Sequence, residues 1–231
     1  MDYRTWRHVF KLDPERTLSD EALDRVCLSG TDAVMVGGTT GVTFDNTVDL
    51  LGRIRRYEVP CVQEISTIES VVPGFDLYMI PVVLNTDDGR WITGQHQMGL
   101  REYGALIDWE AVVPEGYVIL NPDSSVARLT GAKTELDGQD LAAYGRLADR
   151  LLRLPILYVE YSGMFGEMDK VRRASAVLHQ ARLFYGGGVD SPDKARQAAG
   201  CAHTVVVGNV LYDDLDAALA TVAAVRSVPA P

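Results

Sequence analysis

The chain has 231 residues, 47% of them hydrophobic and 23% charged, and its formal net charge is −10. That balance is ordinary for a soluble globular protein with a large core, and no stretch approaches the roughly 18 uninterrupted apolar residues of a membrane helix, which leaves at most peripheral membrane contact. Without any block of Lys or Arg a nucleic-acid partner is disfavoured, because phosphate backbones need a basic face.

In chain order, short apolar runs rich in β-branched residues alternate with amphipathic segments. The predicted strands are HVFKLD (8–13), AVMVGG (33–38), PCVQEI (60–65), LYMIPVVL (77–84), YVILN (117–121), LPILYVEYS (154–162), RLFYGGG (182–188) and TVVVGN (204–209). Most read as nearly continuous apolar runs, the pattern of strands buried on both faces. Between them, 17–30 has acidic residues in its first turn and Gly30 as a stop. Segment 137–152 has Asp137 as N-cap and sets Leu141, Tyr144, Leu147, Ala148 and Leu151 on one face. Ser191-Pro192 is a strong helix start. Eight such units predict a single-domain α/β fold, a (β/α)8 barrel spanning 1–231 with 225–231 as a loose tail. One unit departs from the pattern. Only STIESVVPGFD (66–76) joins the third and fourth strands, and its Pro73-Gly74 leaves no room for a full helix, so that crossover is expected to be a loop.

Neither the cysteines nor the histidines suggest a metal or redox centre. Cys27, Cys61 and Cys201 are odd in number, scattered and set among apolar residues, as free buried thiols of a cytoplasmic protein would be. His8, His96, His179 and His203 lack metal-ligand spacing and read as structural or surface residues. MDYRTWRHVFK at the N-terminus has no long apolar run, so a cleaved secretory signal is not expected.

Barrel chemistry sits at the C-terminal ends of the strands. Lys11 and Asp13, two apart on one strand, can share a face; they either neutralise each other or offer an ammonium to a phosphate and a carboxylate to Mg2+. Gly37, Gly38 and Thr39 follow strand two, as a turn or as N–H and hydroxyl donors. Glu64, Asn85, Asn121 and Asp123 end the next three strands. Glu160 lies in an otherwise apolar strand between Tyr158 and Tyr161, so it is either ion-paired or a functional carboxylate, since an unpaired buried charge is costly. Gly186 to Gly188 end strand seven and Gly208-Asn209 end strand eight, where many barrels bind a phosphate group. Spacing alone leaves the phosphate ester unnamed.

The ordered set WRHVFKLDP, SGTDAVMVGG, GVTFDN, VPCVQEIS, VPGFDLYMIPVVLN, GYVILNPDS, YVEYSG, LFYGGG and VVVGNVLYDD closely resembles the bacterial PcrB proteins, from Trp6 to about Val225. These are heptaprenylglyceryl phosphate synthases related to the archaeal geranylgeranylglyceryl phosphate synthases. The resemblance implies a homodimeric modified TIM barrel without the third crossover helix. It implies a prenyltransferase that joins sn-glycerol 1-phosphate to a polyprenyl diphosphate through an ether bond. By it, Lys11 contacts the glycerol phosphate, and Asp13 and Thr39 bind Mg2+; relatives often carry Ser at position 39, and the hydroxyl is kept. Tyr158, Val159, Glu160, Tyr161, Ser162 and Gly163 form the glycerol phosphate loop, completed by Gly188, Gly208 and Asn209. Glu160 is the candidate to orient the hydroxyls and accept the proton. Gly99 and Tyr103 belong to the prenyl groove, where the small Gly99 favours a long chain such as heptaprenyl. The competing readings are a barrel isomerase or aldolase acting on a small sugar phosphate, and a non-catalytic barrel scaffold.

Overall fold

Strands β1 (His8–Leu12), β2 (Ala33–Val36), β3 (Cys61–Glu64), β4 (Leu77–Val83), β5 (Val112–Ile119), β6 (Ile156–Glu160), β7 (Arg182–Gly186) and β8 (Thr204–Val207) pair in parallel, each with the next. β8 closes onto β1, with Val9 opposite both Ala33 and Val206. This is a computed structural model describing residues 2–231. Alternate side chains must point to opposite faces of a strand, and the residues sort accordingly. Val9, Ala33, Met35, Val62, Met79, Tyr117, Ile119, Ile156, Tyr158, Phe184 and Val206 fill the barrel interior. Phe10, Leu12, Val34, Val36, Val118, Val159, Tyr185 and Val205 form the outer layer against the helices. Except along β4, whose outward Tyr78, Ile80 and Val82 are half-buried, both faces of the strands are largely buried, which is why they read as continuous apolar runs.

Local signals set the helix ends. Ser19, Thr43, Ser124, Asp137 and Ser191 accept backbone N–H bonds at the starts of α1 (Asp20–Cys27), α2 (Phe44–Ile54), α4 (Ser125–Thr130), α5 (Gly138–Arg146) and α7 (Pro192–Ala199). Between them lie α3 (Gln95–Tyr103) and α6 (Met168–Ser175), and α8 (Val210–Asp213) and α9 (Leu215–Arg226) complete the ring.

The β3–β4 crossover carries only a 3-10 turn, Ile68–Ser70. Gln63, on the outward face of β3 where a helix would pack, bonds that loop instead. Its amide donates to the Ser70 carbonyl (2.6 Å) and accepts from the Val72 N–H (3.1 Å). Tyr78 adds a bond to the Val72 carbonyl, and Val72 and Phe75 plug the space. A buried amide is well suited here, because a loop has backbone groups that need partners where a helix has none to spare.

Three expectations change in detail. β5 begins at Val112, five residues before the predicted run, because it pairs along the whole of β4 from Tyr78 to Val83. Leu151 is exposed, while Asp149 is buried and accepts the Gln180 and Ala181 N–H groups. The cause is a π-type stretch, Leu147–Leu152, whose wider turn breaks the 3.6-residue phase. The loose tail starts later than 225. Val225 is fully buried, Arg226 pairs with Asp32 (3.0 Å), and the Val228 carbonyl accepts from Arg7 (3.0 Å).

Candidate active site

β1 and β3 bring the first pair of charges together at the C-terminal rim. Lys11 projects inward and donates to Glu64 Oε2 (2.5 Å), not to Asp13, and its ammonium lies 5.7 Å from the centre of the Tyr158 ring. Burial acts to lower the Lys11 pKa, but Glu64, Glu160 and Glu115 outweigh it, so the net shift is upward and the ammonium stays charged. Asp13, one residue beyond β1, is tied by its backbone: its N–H donates to the Tyr212 hydroxyl (2.9 Å). Its carboxylate accepts the Glu15 N–H (3.0 Å) and forms no ion pair with Lys11.

β5 and β6 contribute the second group. Glu160 is 6% exposed and, among the described residues, has no cationic partner within ion-pair distance. Its Oε1 accepts the Ser162 N–H (2.5 Å) and its Oε2 accepts the Tyr117 hydroxyl (3.1 Å). Ser162 holds a φ of 22° and Gly163 a φ of 84°. A positive φ at a non-glycine residue marks a backbone constrained by its surroundings, and here the constraint turns the Ser162 N–H back onto Glu160. Tyr158 is fully buried; its hydroxyl lies beside Glu160 but, among the described residues, makes no bond of full hydrogen-bond geometry. Val159 and Tyr161 lie on the other face of the strand, in the helix-side layer, so their side chains point away from the rim. The period of two that brings Tyr158 and Glu160 inward necessarily turns these two outward.

Three loops meet over this floor. A side chain at Gly186 would strike the Tyr158 hydroxyl, and one at Gly188 (φ +56°) would strike the backbone of Phe165. The Tyr185 hydroxyl clamps the same junction, accepting from the Gly166 N–H (2.8 Å) and donating to the Gly187 carbonyl (3.0 Å). The glycine run is thus bare because the β6–α6 loop packs directly on it. Packing fills the Cβ side but leaves the amides open: among the described residues, the N–H groups of Gly188, Gly208 and Asn209 donate to no partner. Arg16 adds a cation beside them. Its guanidinium donates to Asn209 Oδ1 (3.3 Å) and lies 3.9 Å from the centre of the Tyr212 ring.

The oxygen donors next to this rim suit Mg2+. Gly38 packs so closely against Asp13 that a Cβ there would lie 2.7 Å from Oδ1, and Thr39 follows at once with a free hydroxyl side chain. Among the described residues no group of three or more acidic, His or Cys side chains forms a closed cage. A single carboxylate and a hydroxyl fit an ion that keeps waters and takes its other ligands from substrate phosphates.

Gly99, on α3, faces the crossover that lacks a helix. A Cβ at this position would sit 2.6 Å from Ile68 Cδ1. Tyr103 ends the same helix and is 44% exposed. Asn85 and Asn121 are structural: Asn85 bonds both backbone groups of Ile119, and Asn121 donates to the Ser162 carbonyl (2.8 Å).

Four residues of the rim and its floor escape motif reading. Glu64 is visible as a strand end, but its pairing with Lys11 depends on register. Glu115 and Tyr117 lie in VVPEGYVI, where Pro114 and Gly116 disguise a strand. Arg16 sits in an ordinary polar loop, and nothing local marks it.

Free backbone amides after strands seven and eight, over a floor of inward polar side chains, are the arrangement of the phosphate-binding (β/α)8 barrels, and the chain is of that class. The sequence pattern of the PcrB family matches residues 1–226, and the chain belongs to that family. It is 54% identical over 226 residues to the heptaprenylglyceryl phosphate synthase of Brevibacillus brevis, covering 98% of each chain. The Geobacillus kaustophilus heptaprenylglyceryl phosphate synthase is 52% identical over 227 residues, covering 98% of this chain and 95% of its own. Among solved structures, (S)-3-O-geranylgeranylglyceryl phosphate synthase from Thermoplasma acidophilum in complex with sn-glycerol-1-phosphate aligns with a TM-score of 0.84. The alignment has 22% identity over 96% of this chain and 94% of that one, and it shows a shared fold.

Proposed function

We propose that this protein is a Mg2+-dependent prenyltransferase joining heptaprenyl diphosphate to the C3 hydroxyl of sn-glycerol 1-phosphate. The C3 oxygen attacks the prenyl C1, the C1–oxygen bond to diphosphate breaks, and an ether and free diphosphate result. Lys11 and the N–H groups of Gly188, Gly208 and Asn209 bind the glycerol phosphate and hold its hydroxyls toward the floor of the barrel, a positioning effect. Glu160 orients those hydroxyls and takes the C3 proton as the bond forms. Asp13 and Thr39 would hold Mg2+, which supplies Lewis-acid neutralisation of the departing diphosphate. The prenyl chain runs along the helix-free side of the barrel beside Gly99 and Tyr103. In the same reading the working form is a cytoplasmic homodimer.

The observation that carries this reading is the meeting of unpaired rim amides with a charged Lys11 and a Glu160 that forms no ion pair among the described residues. A scaffold has no need to keep such groups together. The test uses radiolabelled sn-glycerol 1-phosphate or its sn-3 enantiomer with prenyl diphosphates from farnesyl to heptaprenyl, with and without Mg2+. Ether product is expected from the sn-1 ester and the longest donor, and only with Mg2+. No organic-soluble label with any donor would refute the proposal.

A further inference from the structure

Glu160 is held by two donors, and only one belongs to its own loop. The other, the Tyr117 hydroxyl, comes from β5 and bonds Oε2 (3.1 Å), while Ser162 N–H occupies Oε1 (2.5 Å). An ionised carboxylate has about four acceptor positions. With two filled, two remain, matching the two free hydroxyls of a glycerol monophosphate.

We propose that Tyr117 is a positioning residue for the reaction: its hydroxyl sets the plane of the Glu160 carboxylate and closes one acceptor position, so that substrate hydroxyls reach only the remaining two. This rests on the function proposed above and deepens it. Tyr117 is itself immobile. It is 5% exposed and stacks on Tyr158 at 4.6 Å with the planes 16° apart, so the hydroxyl cannot swing away. Among the described residues it is the side chain whose bond to Glu160 has full hydrogen-bond geometry: Lys11 is engaged with Glu64, and the Tyr158 hydroxyl lies beside Glu160 but falls short of that geometry. The titratable groups facing Glu160 are Lys11 from β1, Glu115 and Tyr117 from β5, Tyr158 from its own strand β6, and Tyr185 from β7. Among these, Tyr117 makes the well-formed bond to it, at 3.1 Å.

Tyr117→Phe keeps the ring stack and removes only the hydroxyl. Losing a hydrogen bond to a charged group should lower kcat about tenfold, with the KM for glycerol phosphate changing by less than about threefold. A double-mutant cycle separates positioning from scaffolding: in a Glu160→Gln background, Tyr117→Phe should cause no further loss. Thermal melting of each variant checks the fold. An active wild type with an unchanged kcat in Tyr117→Phe, a loss confined to KM, or equal losses in both backgrounds, would overturn this inference alone. An inactive wild type would overturn the proposed function and this inference with it.

Discussion

At the scale of single residues, the barrel floor is an unusual balance of charge. Lys11 faces Glu64, Glu160 and Glu115, and Glu115 is fully buried with neither oxygen bonded. Burial raises the Glu115 pKa well above the ordinary value, Glu64 and Glu160 raise it further, and Lys11 only partly opposes them. The folded chain therefore holds a proton there that the unfolded chain releases at about pH 4.3. Stability linked to Glu115 is complete below that pH and falls as pH rises toward the folded value. Glu115→Gln should remove this slope. By thermal melting, the variant should gain on the wild type as pH rises above about 4.5, and parallel curves would show that Glu115 binds no extra proton. Lys11, Asp13 and Glu160 stood out in the sequence because each interrupts or ends an apolar run. Glu115 did not, because its strand becomes evident only once β4 is there to pair with it.

At the scale of elements, the helix-free crossover is the feature that distinguishes this barrel. Pro73-Gly74 and the shortness of 66–76 made the loop legible. What stabilises it was not, since Gln63 looks like any polar strand residue until its two bonds to Ser70 and Val72 are traced. The Gly99–Ile68 approach was equally hidden, because it joins segments from two different crossovers. If the prenyl chain runs past this contact, Gly99→Trp, which must displace the Ile68 side chain, should obstruct it. The preference for heptaprenyl over geranylgeranyl diphosphate, measured as the ratio of kcat/KM, should fall by about tenfold or more, since a misfit in an apolar site costs roughly 1–3 kcal/mol. An unchanged ratio in a variant that melts normally would remove Gly99 from the groove. The glycines after β7 show the same contrast: their position marked a phosphate rim, but only the packed loops reveal that Tyr158, Tyr161 and Phe165 occupy their Cβ sides.

At the scale of the whole molecule, enclosure governs reactivity as well as stability. Cys27, Cys61 and Cys201 are all free and buried. Burial, with a smaller contribution from Asp24, pushes the Cys27 thiol up to about 12, and burial raises the Cys61 and Cys201 thiols too. The thiolate is the reactive form, so the native protein should react with an aromatic disulfide reagent at least about a hundredfold more slowly than the unfolded chain. Rapid native labelling of any one thiol would contradict this picture. Among the described residues no helix is long and apolar enough to cross a membrane. The sequence by itself determined the barrel, the bare crossover, the rim glycines and the three charged residues at strand ends, because all follow from local periodicity and turn chemistry. Only the tertiary structure decided that Lys11 pairs with Glu64, that Tyr117 holds Glu160, and that Val159 and Tyr161 face away. Those outcomes depend on strand register and on which face of each strand closes inward, and neither is set until every neighbour is in place.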